Sequence, residues 1–564
     1  MRIRDKQFRL PKVTLLDYKT VEMDRVLTAF FARVYHGGQD SRLTQSGLNT
    51  VDKFVAAMLA LPDRFRGFDE HPEIVRAWLE THLLDLVNRG KANQQVAAPR
   101  PLHGYTYRFR NPKHCRDYGA AQQLYEMLSH ARNGVGQQAL DRLRGFFFAG
   151  VDLATERIDE SVVVDVETQA LLSSLRPETM RQDAPLRDSR EAWPPLCVGA
   201  ADIMADDVLR LLAYRRVVPR SVLVEYLKIL FAFHLALYHL RLLRFLPLLL
   251  RRPGEPFPCK GGACPVRPTE PGACQAACPC RIGLFLDVAN QPDTRARRLA
   301  EYSADAHYRR IPGYIRAQFL AKKLDEMAAH LLQLGKIPAP SGRVLSFWDV
   351  LALLDDRWTQ ERELFFGSRL MTLTGEAQDA DGALDPEIEA VVRLGLSDTD
   401  KYVEALAAAR GVFQRGFIVK SLDALSLKNR PGALLAQDRG AGAARRFVLD
   451  SRLLEVLLQM AVLRYEPDRG HVSGPIRVED LLGFLRERYG LYIDRLPPGD
   501  GFGATVSEDL EALRANREAL RRRLREIGFF QDLSDAYITQ QVTPRYRIEP
   551  PYPAAPPPAG GGAP

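Results

Sequence analysis

The chain is poorly equipped for disulfide chemistry. It has seven cysteines in 564 residues, an odd number, and five of them crowd into one Pro/Gly loop. A secreted disulfide scaffold spreads even pairs, so this pattern predicts a reducing, cytoplasmic setting. No apolar run reaches membrane length. The most apolar stretch, Ile229–Leu240, gives 12 uncharged residues between Lys228 and Arg241, two of them histidine, where a bilayer span needs about 20. Contact with a membrane is therefore not expected. The opening Met1-Arg-Ile-Arg-Asp-Lys has no apolar core of a secretory leader. There is no Gly-x4-Gly-Lys-Ser/Thr phosphate loop, no His-Glu-x2-His, no Gly-x-Ser-x-Gly and no kinase set. Repeats of fixed period are also absent. Charge is nearly balanced, 78 Lys and Arg against 70 Asp and Glu, which permits nucleic-acid contact without requiring it.

What is present is helical periodicity. With 46% hydrophobic and 26% charged residues, the composition is that of an ordinary globular chain, long enough for roughly two to four domains. The expected fold class is mainly α, a multi-helical body with a C-terminal winged-helix-like α+β module. Val26, Leu27, Phe30, Phe31 and Val34 share one helix face, and Gly37-Gly38 stops that helix. Asn49-Thr50 caps the next. From Ser221 to Leu250 nearly every helix face is apolar, the mark of a helix enclosed by others. His234 and His239 lie five apart, so they do not share a metal face and read as core histidines. Tyr105, Tyr107 and Phe109 alternate with Arg108 and Arg110, either a hairpin edge or an aromatic/basic nucleic-acid surface. Val162–Glu167 reads as a strand.

The boundaries expected from composition are an N-terminal helical domain over 1–176, a central helical domain over 196–430 with a cysteine loop at 253–283, a winged-helix-like domain over 445–549, and a disordered tail over 550–564. The tail is Pro/Ala/Gly and cannot bury apolar surface. In the C-terminal part a helix at Phe447–Leu463, a short strand at Ile476–Val478, helices from Glu479 and Ser507, and extended segments at Tyr537–Ile548 follow the order of a winged helix.

Three groups of residues carry candidate chemistry. The first is Cys259-x4-Cys264-x9-Cys274-x3-Cys278-x1-Cys280. Thiolates favour tetrahedral zinc, and close spacing lets one loop supply the ligands. A structural zinc ion is the expected cofactor, with an iron–sulfur cluster or incidental cysteines as alternatives. The second is a basic helix face of Arg514, Arg517, Arg521, Arg522 and Arg525, suited to phosphates. Glu508, Glu511, Glu518 and Glu526 interleave with it, which equally fits a solvated, ion-paired face. The third is acidic. Asp165 with Glu167, or Asp287 near Asp293, would serve a metal-dependent nuclease, while capping is the plainer role for Asp287.

Phe8–Arg25, Phe447–Leu463, Leu485–Asp494, Leu524-Arg-Glu-Ile-Gly-Phe529 and Leu533-Ser-Asp-Ala536 resemble accessory subunits of bacterial anti-phage defence islands. The nearest is a subunit of the methylation-associated defence system, with phosphorothioation-dependent restriction subunits second. The resemblance implies a non-catalytic structural or adaptor subunit working beside methyltransferase, ATPase or nuclease subunits and contacting double-stranded DNA. It carries over no catalytic residue, and the cysteine loop is not part of it. The rival expectations are a divergent metal-dependent nuclease and a zinc-containing DNA-binding transcription regulator.

Overall fold

The computed structural model describes residues 8–43, 47–152, 155, 157, 159, 162, 165–174, 183–187, 191–251, 278, 281–338, 344–378, 381–427, 429–438, 440, 443–467, 470–531 and 541–549. The N-terminal part holds helices α1 (Met23–Tyr35), α2 (Val51–Leu59) and α3 (Pro72–Trp78), then strands β1 (Leu84–Val87) and β2 (Gln95–Pro99). Helices α4 (Ala120–Ser129), α5 (Val135–Phe147) and α6 (Val166–Ser174) follow. The central part holds α7 (Val198–Ala213), α8 (Arg220–Arg251), β3 (Leu284–Phe285), α9 (Arg297–Tyr308), α10 (Ile311–Gln333), α11 (Phe347–Leu351), α12 (Thr359–Glu376), α13 (Pro386–Val392) and α14 (Asp398–Ser426). Then come β4 (Leu435–Gln437), β5 (Arg445–Phe447), α15 (Ser451–Ala461), β6 (Leu463–Glu466), β7 (Gly470–Ser473), β8 (Ile476–Arg477) and α16 (Val478–Phe484). The last elements are β9 (Leu491–Tyr492), α17 (Ser507–Glu526), β10 (Phe530–Gln531) and β11 (Gln541–Val542).

Helix α8 is the centre of the packing. It touches α1, α4, α7, α10, α14 and α15, and its residues from Tyr226 to Leu243 are all buried. By length and composition it is apolar enough to cross a membrane, yet 83% of its most apolar 18-residue stretch is buried inside the chain. Two of its interior charges are matched across the fold: Lys228 reaches Asp24 of α1 at 2.6 Å, and Arg244 reaches Asp500 at 3.0 Å. The helix runs past Pro247 to Arg251. One hydrophobic cluster extends from Phe8 to Val542, so all three parts of the chain feed a common core.

Caps fall where short polar side chains precede apolar periods. Thr50 accepts from the Lys53 N–H, Ser397 from Asp400 at 3.1 Å, and Asp450 from Arg452 at 3.1 Å. Two expectations are overturned. Gly104–Phe109 is a 3-10 helix rather than a strand, with Tyr105 and Tyr107 fully buried. The Tyr107 hydroxyl donates to Asp183 at 2.7 Å, and Arg108 stacks on the Tyr105 ring 4.6 Å from its centre, so these rings offer no surface to a nucleic acid. The strand read over Val162–Glu167 is contradicted at its end, where helix α6 begins at Val166 and Asp165 accepts from the Thr168 N–H and hydroxyl, both at 2.9 Å; Val163 and Val164 lie outside the described residues.

The sheets are small. β1 and β2 pair antiparallel, as do β4 with β5 and β6 with β7. β3 pairs in parallel with β9, Leu284 against Leu491, joining the central part to the C-terminal part. A three-stranded antiparallel sheet has the order β10-β11-β8.

Candidate functional site

Helix α17 presents the basic face and is held by its opposite side. Leu513, Asn516, Leu520 and Leu524 are buried, and Asn516 saturates the ends of the β3–β9 pair. Its Nδ2 donates to Leu286 O at 2.7 Å and Ile493 O at 2.9 Å, while its Oδ1 accepts from Val288 N at 2.9 Å. The seam thus fixes which arginines look outward. Arg514 and Arg522 are exposed and have no ion pair among the described residues. Arg525, also exposed, lies over the Phe530 ring, 5.1 Å from its centre. Arg517 pairs with Glu479 of α16 and Arg521 with Glu518, so those two are half-buried and engaged. Arg523 turns inward and donates to Ser451 Oγ at 3.0 Å. The acidic side chains take part as well, with Arg295 on Glu511 at 2.5 Å and Arg298 on Glu508 at 3.5 Å.

The acidic candidates are used locally. Asp165 caps α6, with Arg220 at 3.7 Å, and Glu167 sits in the first turn of that helix. Asp287 is buried and accepts from Thr294 Oγ1 at 2.8 Å and Asn290 N at 3.2 Å, closing the turn that leads to α9. Burial pushes its carboxyl above the usual range. Asp293 is exposed. Among the described residues no group of three or more His, Cys, Asp or Glu is gathered so that it could hold a metal ion. Of the cysteine candidates, Cys278 is half-buried, while Cys259, Cys264, Cys274 and Cys280 lie outside the described residues.

A buried polar cluster escaped the sequence reading. Asp207 on α7, fully buried, accepts from His234 Nε2 at 2.8 Å and from Arg488 Nε at 2.9 Å and Nη2 at 2.6 Å. It also accepts from the Tyr489 hydroxyl at 2.9 Å. Asp206 takes a further bond from Arg488 Nη2 at 2.6 Å. Burial raises the Asp207 carboxyl, but the Arg488 guanidinium and the His234 bond outweigh it and hold the group below its usual value. Burial lowers His234, so the cluster is an Arg–Asp ion pair with a neutral imidazole and a phenol. His239 is a core residue as its spacing implied: its Nδ1–H donates to Leu235 O at 2.7 Å, and Thr14 Oγ1 lies 3.0 Å from its Nε2. The available signal for the cluster was Asp206-Asp207 inside an apolar helix, which demanded a cation from elsewhere.

Comparison with curated proteins and comparison with solved structures each returned no match. Against protein families, residues 3–546 match methylation-associated defense system protein MAD7. That covers nearly the whole length, including the stretches whose likeness was noted above, and the chain belongs to this family.

Proposed function

We propose that the chain is a structural and adaptor subunit of its defence system, which holds partner subunits against duplex DNA and leaves the chemistry to them. The observation that carries this reading is the C-terminal arrangement. Helix α15, strand β8, helices α16 and α17, and strands β10 and β11 come in this order, with the β6–β7 hairpin and β9 set between them, and β11 lies between β8 and β10. That order and that sheet support reading this part as winged-helix-like, with its third helix as the one that would meet the groove. Here the third helix is α17, with Arg514, Arg522 and Arg525 on its solvent side. The carboxylates that a nuclease would need cap α6 and close the Asp287 turn instead, which favours the adaptor over the nuclease.

We propose in addition a structural zinc ion in the cysteine loop, held by Cys264, Cys274, Cys278 and either Cys259 or Cys280. Protein purified without chelator then carries about one equivalent of zinc, and less than about half an equivalent removes the zinc from the proposal. The principal test is co-purification with the methyltransferase, ATPase and nuclease subunits of the same system, combined with titration of the isolated chain by duplex DNA. Retention of at least one partner and salt-sensitive duplex binding are expected. Turnover of any nucleic acid by the isolated chain would overturn the reading. So would tight binding of a single DNA site with no partner retained, which is the behaviour of a transcription regulator.

A further inference from the structure

A second basic site lies away from α17, where the C-terminal end of α8 meets the α9–α10 junction. The cleft there has a volume of about 650 Å³. Its floor is apolar, from Leu243, Pro247, Leu248 and Ala306, and the Tyr302 ring stands at one edge. Its charged lining is one-sided. Arg244, Arg251, Arg309 and Arg310 face a single carboxylate, Asp500.

Asp500 is engaged at both oxygens, and its charge is offset by the two guanidiniums that it holds. Oδ1 accepts from Arg244 Nη1 at 3.0 Å and from Arg310 Nη2, while Oδ2 accepts from Gly283 N at 2.8 Å. The carboxylate therefore sets the direction of two guanidiniums. Arg244 is fixed a second time through Arg281 O at 2.9 Å. Arg310 keeps a further nitrogen, Nη1, that is buried without a hydrogen-bond partner among the described residues. Arg309 pairs with Asp305 on its own helix, and Arg251 is exposed with no ion pair among the described residues.

The backbone that delivers Asp500 is constrained. Gly499, Asp500 and Gly501 have φ of 83°, 55° and 89°, a run of left-handed residues that is costly at the aspartate and persists only where its surroundings hold it. The glycine at 501 is required by its φ of 89°, while a Cβ there would stand 2.6 Å from the hydroxyl of the exposed Tyr302, which could shift. Strained backbone, a buried orienting carboxylate and a fork of arginines over an apolar floor form a pre-set anion cradle.

We propose that this cleft binds a phosphorylated small molecule of the mononucleotide class, with the phosphates on Arg244, Arg251, Arg309 and Arg310 and the ring system against Pro247, Leu248 and Tyr302. The volume falls within the range of small-ligand sites, about 300–1,000 Å³. Four guanidiniums against two carboxylates, Asp500 and the Asp305 paired with Arg309, leave an excess of two positive charges, which matches a di- or triphosphate better than a singly charged acid. The apolar floor explains why inorganic phosphate alone would leave most of the cleft unused.

The test is calorimetric titration of the full chain with ATP, AMP, adenosine and inorganic phosphate. ATP is expected to bind with a Kd below about 1 mM, AMP more weakly, adenosine undetectably, and inorganic phosphate to compete. Changing the two exposed arginines together, Arg251→Ala with Arg309→Ala, should weaken ATP by about tenfold or more while the melting temperature without ligand stays unchanged. Arg310→Lys, which keeps the charge and loses the fork, should also weaken it. Arg514→Ala with Arg522→Ala should leave ATP binding intact, which separates this cleft from the α17 face. No binding at about 1 mM, unaltered binding in the Arg251/Arg309 variant, equal affinity for adenosine, or loss of binding in the Arg514/Arg522 variant would each overturn the proposal. Tighter binding of a 5′-phosphorylated single-stranded oligonucleotide than of ATP would also overturn it, by making the cleft a nucleic-acid end site.

Discussion

Asp207 accepts hydrogen bonds from His234, Arg488 and Tyr489 while fully buried, and its charge is tolerable only because Arg488 is there. Bringing two ions out of water is expensive, and removing one of them leaves the other uncompensated. Arg488→Met, close in volume, should therefore cost about 3–5 kcal/mol, read as a lowered midpoint in urea unfolding. Adding Asp207→Leu to that variant should restore part of the loss, since the orphaned charge goes with it. A loss below about 1 kcal/mol in the single variant would mean that the ion pair does not hold the C-terminal turn in place. Three other buried histidines set the response to acid. Burial pushes His103 down to about 3 and His239 and His307 down to about 4 from an ordinary value of 6.5. They are neutral in the folded chain, whereas the unfolded chain takes up their protons below about pH 6.5. Stability linked to them is thus complete above that pH and is lost as the pH falls toward 4, by about 1.4 kcal/mol per pH unit for each histidine. Thermal midpoints measured from about pH 7 to about pH 5 should fall accordingly, and His239→Gln should flatten the fall.

At the scale of single elements, α17 shows both what could be read from the sequence and what could not. Its apolar seam was legible in the main: of Leu510, Leu513, Leu520, Leu524 and Ile527, which fall at helical spacing, Leu513, Leu520 and Leu524 are buried and Leu510 is exposed. Which arginines stay open was not, because Glu479, the partner of Arg517, comes from another helix. The variant that probes DNA binding is therefore Arg514→Ala, Arg522→Ala and Arg525→Ala together. Removing three phosphate contacts should flatten the slope of log K against log salt by about 2–3, measured by fluorescence anisotropy on duplex DNA. An unchanged slope would assign that face to solvent. The misread elements have equally local causes. Alternation of Tyr105, Tyr107 and Phe109 suggested a strand, but every residue from Gly104 to Arg108 is buried, so alternation carried no information about one face. His103 Nδ1 accepts from Tyr105 N at 3.2 Å and starts the 3-10 turn. Asp165 followed three residues on by Thr168 was a helix cap hidden behind valines. Strand β4 lies in a Gly/Ala-rich segment whose own residues carry no strand pattern, and pairing with β5 makes it a strand.

At the scale of the whole chain, the C-terminal part is a module in the order of its elements and a dependent in its packing. β9 completes β3, Arg488 neutralises Asp207, and Asn516 satisfies the Val288 N–H and the Leu286 carbonyl. α15 lies on α8, and the Tyr214 hydroxyl donates to Gln459 O at 2.7 Å. A chain cut after residue 444 would expose Leu284, Phe285 and Leu286, all buried in the intact fold, together with an unpaired strand edge and an uncompensated carboxylate. Each of these costs free energy on the order of a few kcal/mol, against a total stability of about 5–15 kcal/mol for a typical domain. The truncated chain should therefore fail to fold. The intact chain should unfold with its N-terminal and C-terminal probes moving together, as tryptophan fluorescence from Trp78 and hydrogen exchange at Leu491 would show. A soluble, helical fragment ending at residue 444 with protected amides in α8 would mean that the core under α8 closes without the C-terminal part. In that case the β3–β9 pair and the Asp207 cluster would act as a detachable joint rather than as the seam of one folding unit.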